Sequence, residues 1–176
     1  VFREPFAFKA FGGTFAAWRD GKDWHLATPG LTFDNDLFGG EARAELILRG
    51  DGGTPFLDAC AALSHAAVPA AKLFWPSTMP RSTIAWLDRG LVSGRVDYGR
   101  VTFRGDLGDF PFLAHQGRFD ALGHVADAVL DYGDDWPRAE KISATAQFID
   151  NTMTIEATHA ETLGNSGVFF HSRIVG

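Results

Sequence analysis

The sequence predicts a mainly β fold: a curved, mostly antiparallel sheet with a helical insert near residues 54–90. Three observations carry that prediction. Apolar and polar residues alternate in run after run, the period of two expected of strands with one buried face. The 20 glycines are scattered and often paired, as Gly12-Gly13, Gly39-Gly40 and Gly52-Gly53, which marks many turns and bulges. Two long runs in the second half switch the parity of their apolar positions midway, as a β-bulge does. At 176 residues the chain is the size of one domain, and it is read as a single section spanning 1–176.

The first 50 residues read as strands. Phe6, Phe8 and Ala10 alternate with Ala7 and Lys9, and Phe15 and Ala17 resume the pattern after Gly12-Gly13. Trp24, Leu26 and Thr28 follow an Asp20-Gly21 turn. Leu31 and Phe33 follow a break at Pro29-Gly30, and Ala42, Ala44 and Leu46 alternate with Arg43 and Glu45. Residues 54–90 change character. Thr54-Pro55 has the form of a helix start, a Thr cap before a Pro. Phe56, Ala59, Cys60, Leu63 and Ala67 then fall at helical spacing. Pro69 opens a short second turn. A third helix is expected from Pro80 to Arg89-Gly90, with Ile84 and either Leu87 or Trp86 inward and Gly90 as a left-handed C-cap. Such an insert reads as a cap over a sheet edge or end.

From Leu91 the strands return. Gly94, Val96, Val101 and Phe103 match Gly123, Val125, Leu130 and Tyr132 at a period of 29. In both copies the parity flips, so each is expected to bulge, Val96–Val101 in one and Val125–Leu130 in the other. Repetition of this kind suggests a curved sheet. Asp150-Asn151 sits between two alternating runs as a hairpin turn. A two-residue turn there pairs Phe148 with Met153, Ala146 with Ile155 and Ala144 with Ala157, all on one face. Val168, Phe170 and Ile174 form one last strand after Gly164-Asn165.

Composition narrows the function. Lys+Arg is 16 against Asp+Glu 22, a formal charge of −6, which argues against a nucleic-acid partner because phosphate binding needs clustered cations. There are 16 Phe but only 2 Tyr, so the aromatic faces are suited to meet hydrocarbon rather than polar groups. A single cysteine, Cys60, excludes a disulfide framework and Cys-rich zinc sites. The histidines at 25, 65, 115, 124, 159 and 171 form no metal-binding motif. Gly164-Asn-Ser-Gly167 lacks the spacing of a nucleophile elbow and reads as a turn. The acidic run 131–135 lacks the alternating ligands of a calcium loop. No catalytic residue, metal or cofactor is therefore assigned. The chain begins at Val1 without a basic-then-apolar leader, which suggests a piece of something longer.

The stretch PRSTIAWLDRGLVSGRVDYGRVTFRGDLGDFPF at 80–112, with Gly117-Arg-Phe-Asp-Ala, Val125–Tyr132 and Trp136-Pro137, resembles the central region of the YhdP branch of the AsmA-like family. Leu37-Phe38-Gly39-Gly40 and Leu163-Gly164 fit the same pattern. The resemblance spans about 30–175 and is most specific over 80–137. It implies a β-taco-like sheet folded over an apolar groove, in a periplasmic protein held in the inner membrane by a helix outside this chain. It also implies movement of phospholipid between inner and outer membranes, with phospholipid acyl chains and neighbouring sections of the same longer chain as partners. The family has no catalytic residues to carry over.

The residues fit that reading independently. A conduit needs a continuous apolar face and no chemistry, and each buried acyl CH₂ contributes about 0.8 kcal/mol. About ten strands at ~4.8 Å spacing would give a groove on the order of 50 Å long. The candidates to line it are Val96, Val101, Phe103, Phe119, Val125, Leu130, Phe148 and Ile155. Alternation alone does not separate an open groove from a filled core. The rival readings are an interaction module that joins neighbouring sections through open sheet edges, and a β-rich hydrolase.

Overall fold

The computed structural model describes residues 7–73, 81–167 and 170–175. The strands are β1 (Ala10–Asp20), β2 (Asp23–Asp34), β3 (Phe38–Leu48), β4 (Phe56–Ala67), β5 (Leu91–Asp106), β6 (Arg118–Leu130), β7 (Ala139–Ile149), β8 (Thr152–Thr162), β9 (Asn165–Gly167) and β10 (Phe170–Val175). A 3-10 helix (Val68–Leu73) and one α-helix, α1 (Arg81–Gly90), lie between β4 and β5. All ten strands form one open, curved antiparallel sheet in which β1 to β8 pair in sequence order. β9 and β10 share the outer edge of β8, so the sheet is nine strands wide. At about 4.8 Å per strand its width is on the order of 40 Å. Phe6, Pro80 and Val168 lie outside the described residues.

The helical reading of 54–67 is overturned. Phe56–Ala67 is β4, paired with β3 from Ile47↔Phe56 to Phe38↔Ala66 and with β5 from Phe56↔Asp106 to Ala67↔Arg95. Two complete ladders outweigh the helix propensity of its alanines, which is a weak prior. Nothing in the sequence marked its sidedness, because residues 56–63 are half-buried on both faces. Among the described residues, the helices of the insert are the 3-10 helix and α1. In α1, Ile84 and Leu87 are half-buried and Trp86 is exposed, donating from Nε1 to Tyr132 O at 3.2 Å. Gly90 is not a left-handed cap. It is a buried last residue from which the chain runs straight into β5, and its carbonyl accepts from Asp131 N at 2.9 Å.

Both expected bulges are present. Between Val96↔Val125 and Tyr98↔His124, β5 carries one extra residue, Asp97. Between Val125↔Ala144 and Ala128↔Ile142, β6 carries another, and Asp127 there has φ 51°. Arg95 joins the two, with Nε 2.7 Å from Asp97 Oδ1 and Nη1 bonded to Asp127 Oδ2. Those two carboxylates hold the Arg95 guanidinium pKa above its ordinary value, Asp127 most strongly. The glycines of the repeat differ in role. Gly94 has φ 125°, and a Cβ there would lie 2.6 Å from Ala128 Cα, whereas one at Gly123 would only touch the Val96 side chain at 3.6 Å. The break at Pro29-Gly30 is a further register shift inside β2. The hairpin at Asp150-Asn151 has the expected register, with Phe148↔Met153, Ala146↔Ile155 and Ala144↔Ala157.

Candidate functional site

The register sorts the side chains into two faces. One paired row runs Leu31, Ala42, Ala61, Val101, Ala121, Phe148 and Met153 across β2 to β8. The next runs Phe33, Gly40, Leu63, Gly99, Gly123, Ala146 and Ile155. A third contains Phe38, Ala66, Val96, Val125, Ala144 and Ala157. On the other face the rows are polar. One runs Glu45, Asp58, Arg104 and Arg118, and another Glu41, Ala62, Arg100, Leu122, Gln147 and Thr154. Arg104 pairs there with Asp58 at 3.1 Å, and His25 with Glu45 at 2.7 Å. Cys60 belongs to this polar face and accepts from Arg43 Nε at 2.9 Å. That contact raises the Arg43 pKa.

All eight predicted lining residues fall on the apolar face. Phe103 faces Phe119, Val101 faces Ala121, and Val96 faces Val125 across β5 and β6. Phe148 and Ile155 follow on β7 and β8. Leu130 reaches the same face only because of the bulges, and packs with Val96 and Val125 against Val68, Ala128 and Ile142. All eight are half-buried rather than buried.

No second sheet covers this face among the described residues. Two smaller pieces lie on it, at opposite ends of the strands. At one end the 3-10 helix seats Ala70 with Phe38 and Ala66, and Val68 with Ala128 and Ile142. At the other end the β5–β6 connection folds back. Phe112, only 1% exposed, sets its ring 5.2 Å from Phe103, and Phe110 lies 5.5 Å from Phe119. Gly105 and Gly117 make room for it: a Cβ on Gly105 would lie 2.5 Å from the Phe112 ring, and one on Gly117 would overlap it. Between these pieces the floor is small side chains, Gly40, Ala42, Ala61, Gly99, Ala121 and Gly123. Thr28 also lies on this face, buried and with no hydrogen-bond partner for Oγ1 among the described residues.

Sequence reasoning missed Phe110, Phe112, Val68 and Ala70. The run Asp-Phe-Pro-Phe at 109–112, flanked by Gly105 and Gly117, was the available signal, since aromatic rings in a loop between glycines have somewhere to pack. Among the described residues, no group of His, Cys, Asp or Glu is arranged to hold a metal ion. No described helix is long and apolar enough to cross a membrane.

No curated protein and no solved structure matches this chain. A family model described as YhdP protein matches residues 1–171. That match covers nearly the whole sequence and agrees with the open, curved sheet, and so the chain belongs to the YhdP family.

Proposed function

We propose that this chain is a non-enzymatic section of an apolar β-groove that holds phospholipid acyl chains. In this reading it is a periplasmic part of a longer, inner-membrane-anchored envelope protein that moves phospholipid between the inner and outer membranes. Family membership supports an envelope role connected with lipid transport. One observation carries the rest. Seven consecutive strands, β2 to β8, present paired apolar rows on one face, and no second sheet is packed against them among the described residues. A filled sandwich would bury those rows, yet all eight lining residues are half-buried. Hydrocarbon laid on such a face is held by the area removed from water, without any specific contact.

The test is a carboxylate in the groove. Val101 lies in the uncovered middle row, so Val101→Asp should keep the fold, with a loss of about 1 kcal/mol or less. Phospholipid extracted with the purified chain should fall sharply, because an unpaired charge in hydrocarbon is costly. A folded variant that retains its lipid overturns the reading.

A second reading is favoured by β1. Every residue of that 11-residue edge strand is exposed, including Phe11 at 55% and Phe15 at 59%. An uncovered edge with apolar side chains suits strand addition by a neighbouring section of the same longer chain. The two readings are compatible, since a strand added at β1 would lengthen the groove.

A further inference from the structure

We propose that the Phe110–Phe112 segment is an aromatic stop that keeps acyl chains in the middle rows, so that they lie across the strands rather than along them. This rests on the conduit reading above. The stop is built at some local cost. Phe112 has φ 61°, a left-handed conformation that a bulky side chain rarely adopts. The segment is held in place by Phe112 N donating to Asp109 O at 2.7 Å and His115 N donating to Phe112 O at 2.9 Å. Two flanking positions, Gly105 and Gly117, leave the space its ring occupies. Phe103 and Phe119, on the groove face, form the seat.

What the ring closes is one end of the strands. On β4, Leu57 lies opposite Gly105, beneath the stop, while Leu63 lies opposite Gly99, on the far side of the uncovered row. Six residues of strand separate them, roughly 20 Å. The 3-10 helix covers the other end, seating Ala70 on Phe38 and Ala66, and Leu63 is the half-buried residue at the rim of that cover, next to the uncovered row. Carbon chains in contact lie about 4 Å apart, so the space between the two covers admits chains side by side. A chain directed along β5 or β6 meets a phenyl ring at one end and the 3-10 helix at the other. A chain directed across the strands meets neither cover, only the floor of the rows, where Ala42, Ala61 and Ala121 or Gly40, Gly99 and Gly123 stand among larger apolar side chains.

The experiment places a diazirine analogue of leucine in place of Leu57 or of Leu63 in the whole chain, loaded from phosphatidylethanolamine–phosphatidylglycerol vesicles and irradiated. Capture of phospholipid is expected at position 63 and not at 57. Combining Phe110→Ala with Phe112→Ala should bring capture at 57 up to the level at 63, with folding checked by near-ultraviolet circular dichroism. Equal capture at 57 and 63 in the unsubstituted loop overturns the stop while leaving the conduit standing. Absence of capture at both positions removes the conduit itself. If the double variant does not fold, Phe110→Ala alone opens the more exposed half of the cluster. In that folded variant, capture confined to position 63 also counts against the stop.

Discussion

At the scale of single residues, the structure separates positions that the sequence treated alike. Val101 and Leu130 were both read as lining residues, but Leu130 packs against the buried Val68–Ala128–Ile142 cluster and Val101 does not. Leu130→Asp should therefore cost about 3 kcal/mol, well above Val101→Asp, because it sets a carboxylate against that buried apolar cluster. Equal melting temperatures for the two variants would refute this difference. Gly105→Ala should lose roughly 1–3 kcal/mol, since its Cβ would meet the Phe112 ring at 2.5 Å. A silent Gly105→Ala in thermal unfolding would mean that the ring yields easily. On the polar face, Glu161 is held below the ordinary carboxylate range, first by its hydrogen bond from Lys141 and then by His159. A depressed carboxyl pKa stabilises the fold above the unfolded value and ceases to do so as pH falls through the folded one. The melting-temperature advantage of the wild type over Glu161→Gln should thus be present at neutral pH and shrink on acidification. An advantage that does not change with pH would rule this out.

At the scale of elements, legibility followed sidedness. The Asp150-Asn151 hairpin was readable to the residue because Phe148, Ala146 and Ala144 alternate with Gln147 and Thr145. The parity flips at Val96–Val101 and Val125–Leu130 located two bulges for the same reason. β4 was misread because Ala59 and Ala61 face the groove while Cys60 and Ala62 face the polar side, and all four are small. Only its pairing with the two flanking strands decides its conformation. The 107–117 connection was opaque because its rings are placed by tertiary contacts and by a left-handed φ at Phe112. The reassignment of β4 is testable on its polar side. Ala62→Thr introduces a β-branched residue that strands favour and helices disfavour. The melting temperature should stay level or rise, whereas a clear fall would support a helix there.

At the scale of the whole molecule, stability should be graded across the sheet. β4, β5 and β6 have partners on both sides, while β1 has one partner among the described residues and no buried residue. Amide exchange should accordingly be slowest in β4 to β6 and fastest in β1. Uniform protection across all nine strand positions would contradict a single layer that is held together strand by strand.

The strictly sequential strand order has a further consequence, for growth. From β1 to β8 every strand pairs only with those next to it in the chain, and β9 and β10 both add to the outer edge of β8. A protein built in this way behaves as a one-dimensional array, whose energy is close to a sum of units and nearest-neighbour junctions. Inserting or deleting one hairpin changes the length by about 10 Å and leaves the other junctions untouched. Length is therefore an inheritable variable in its own right, adjustable in steps of two strands to the distance the structure must cross.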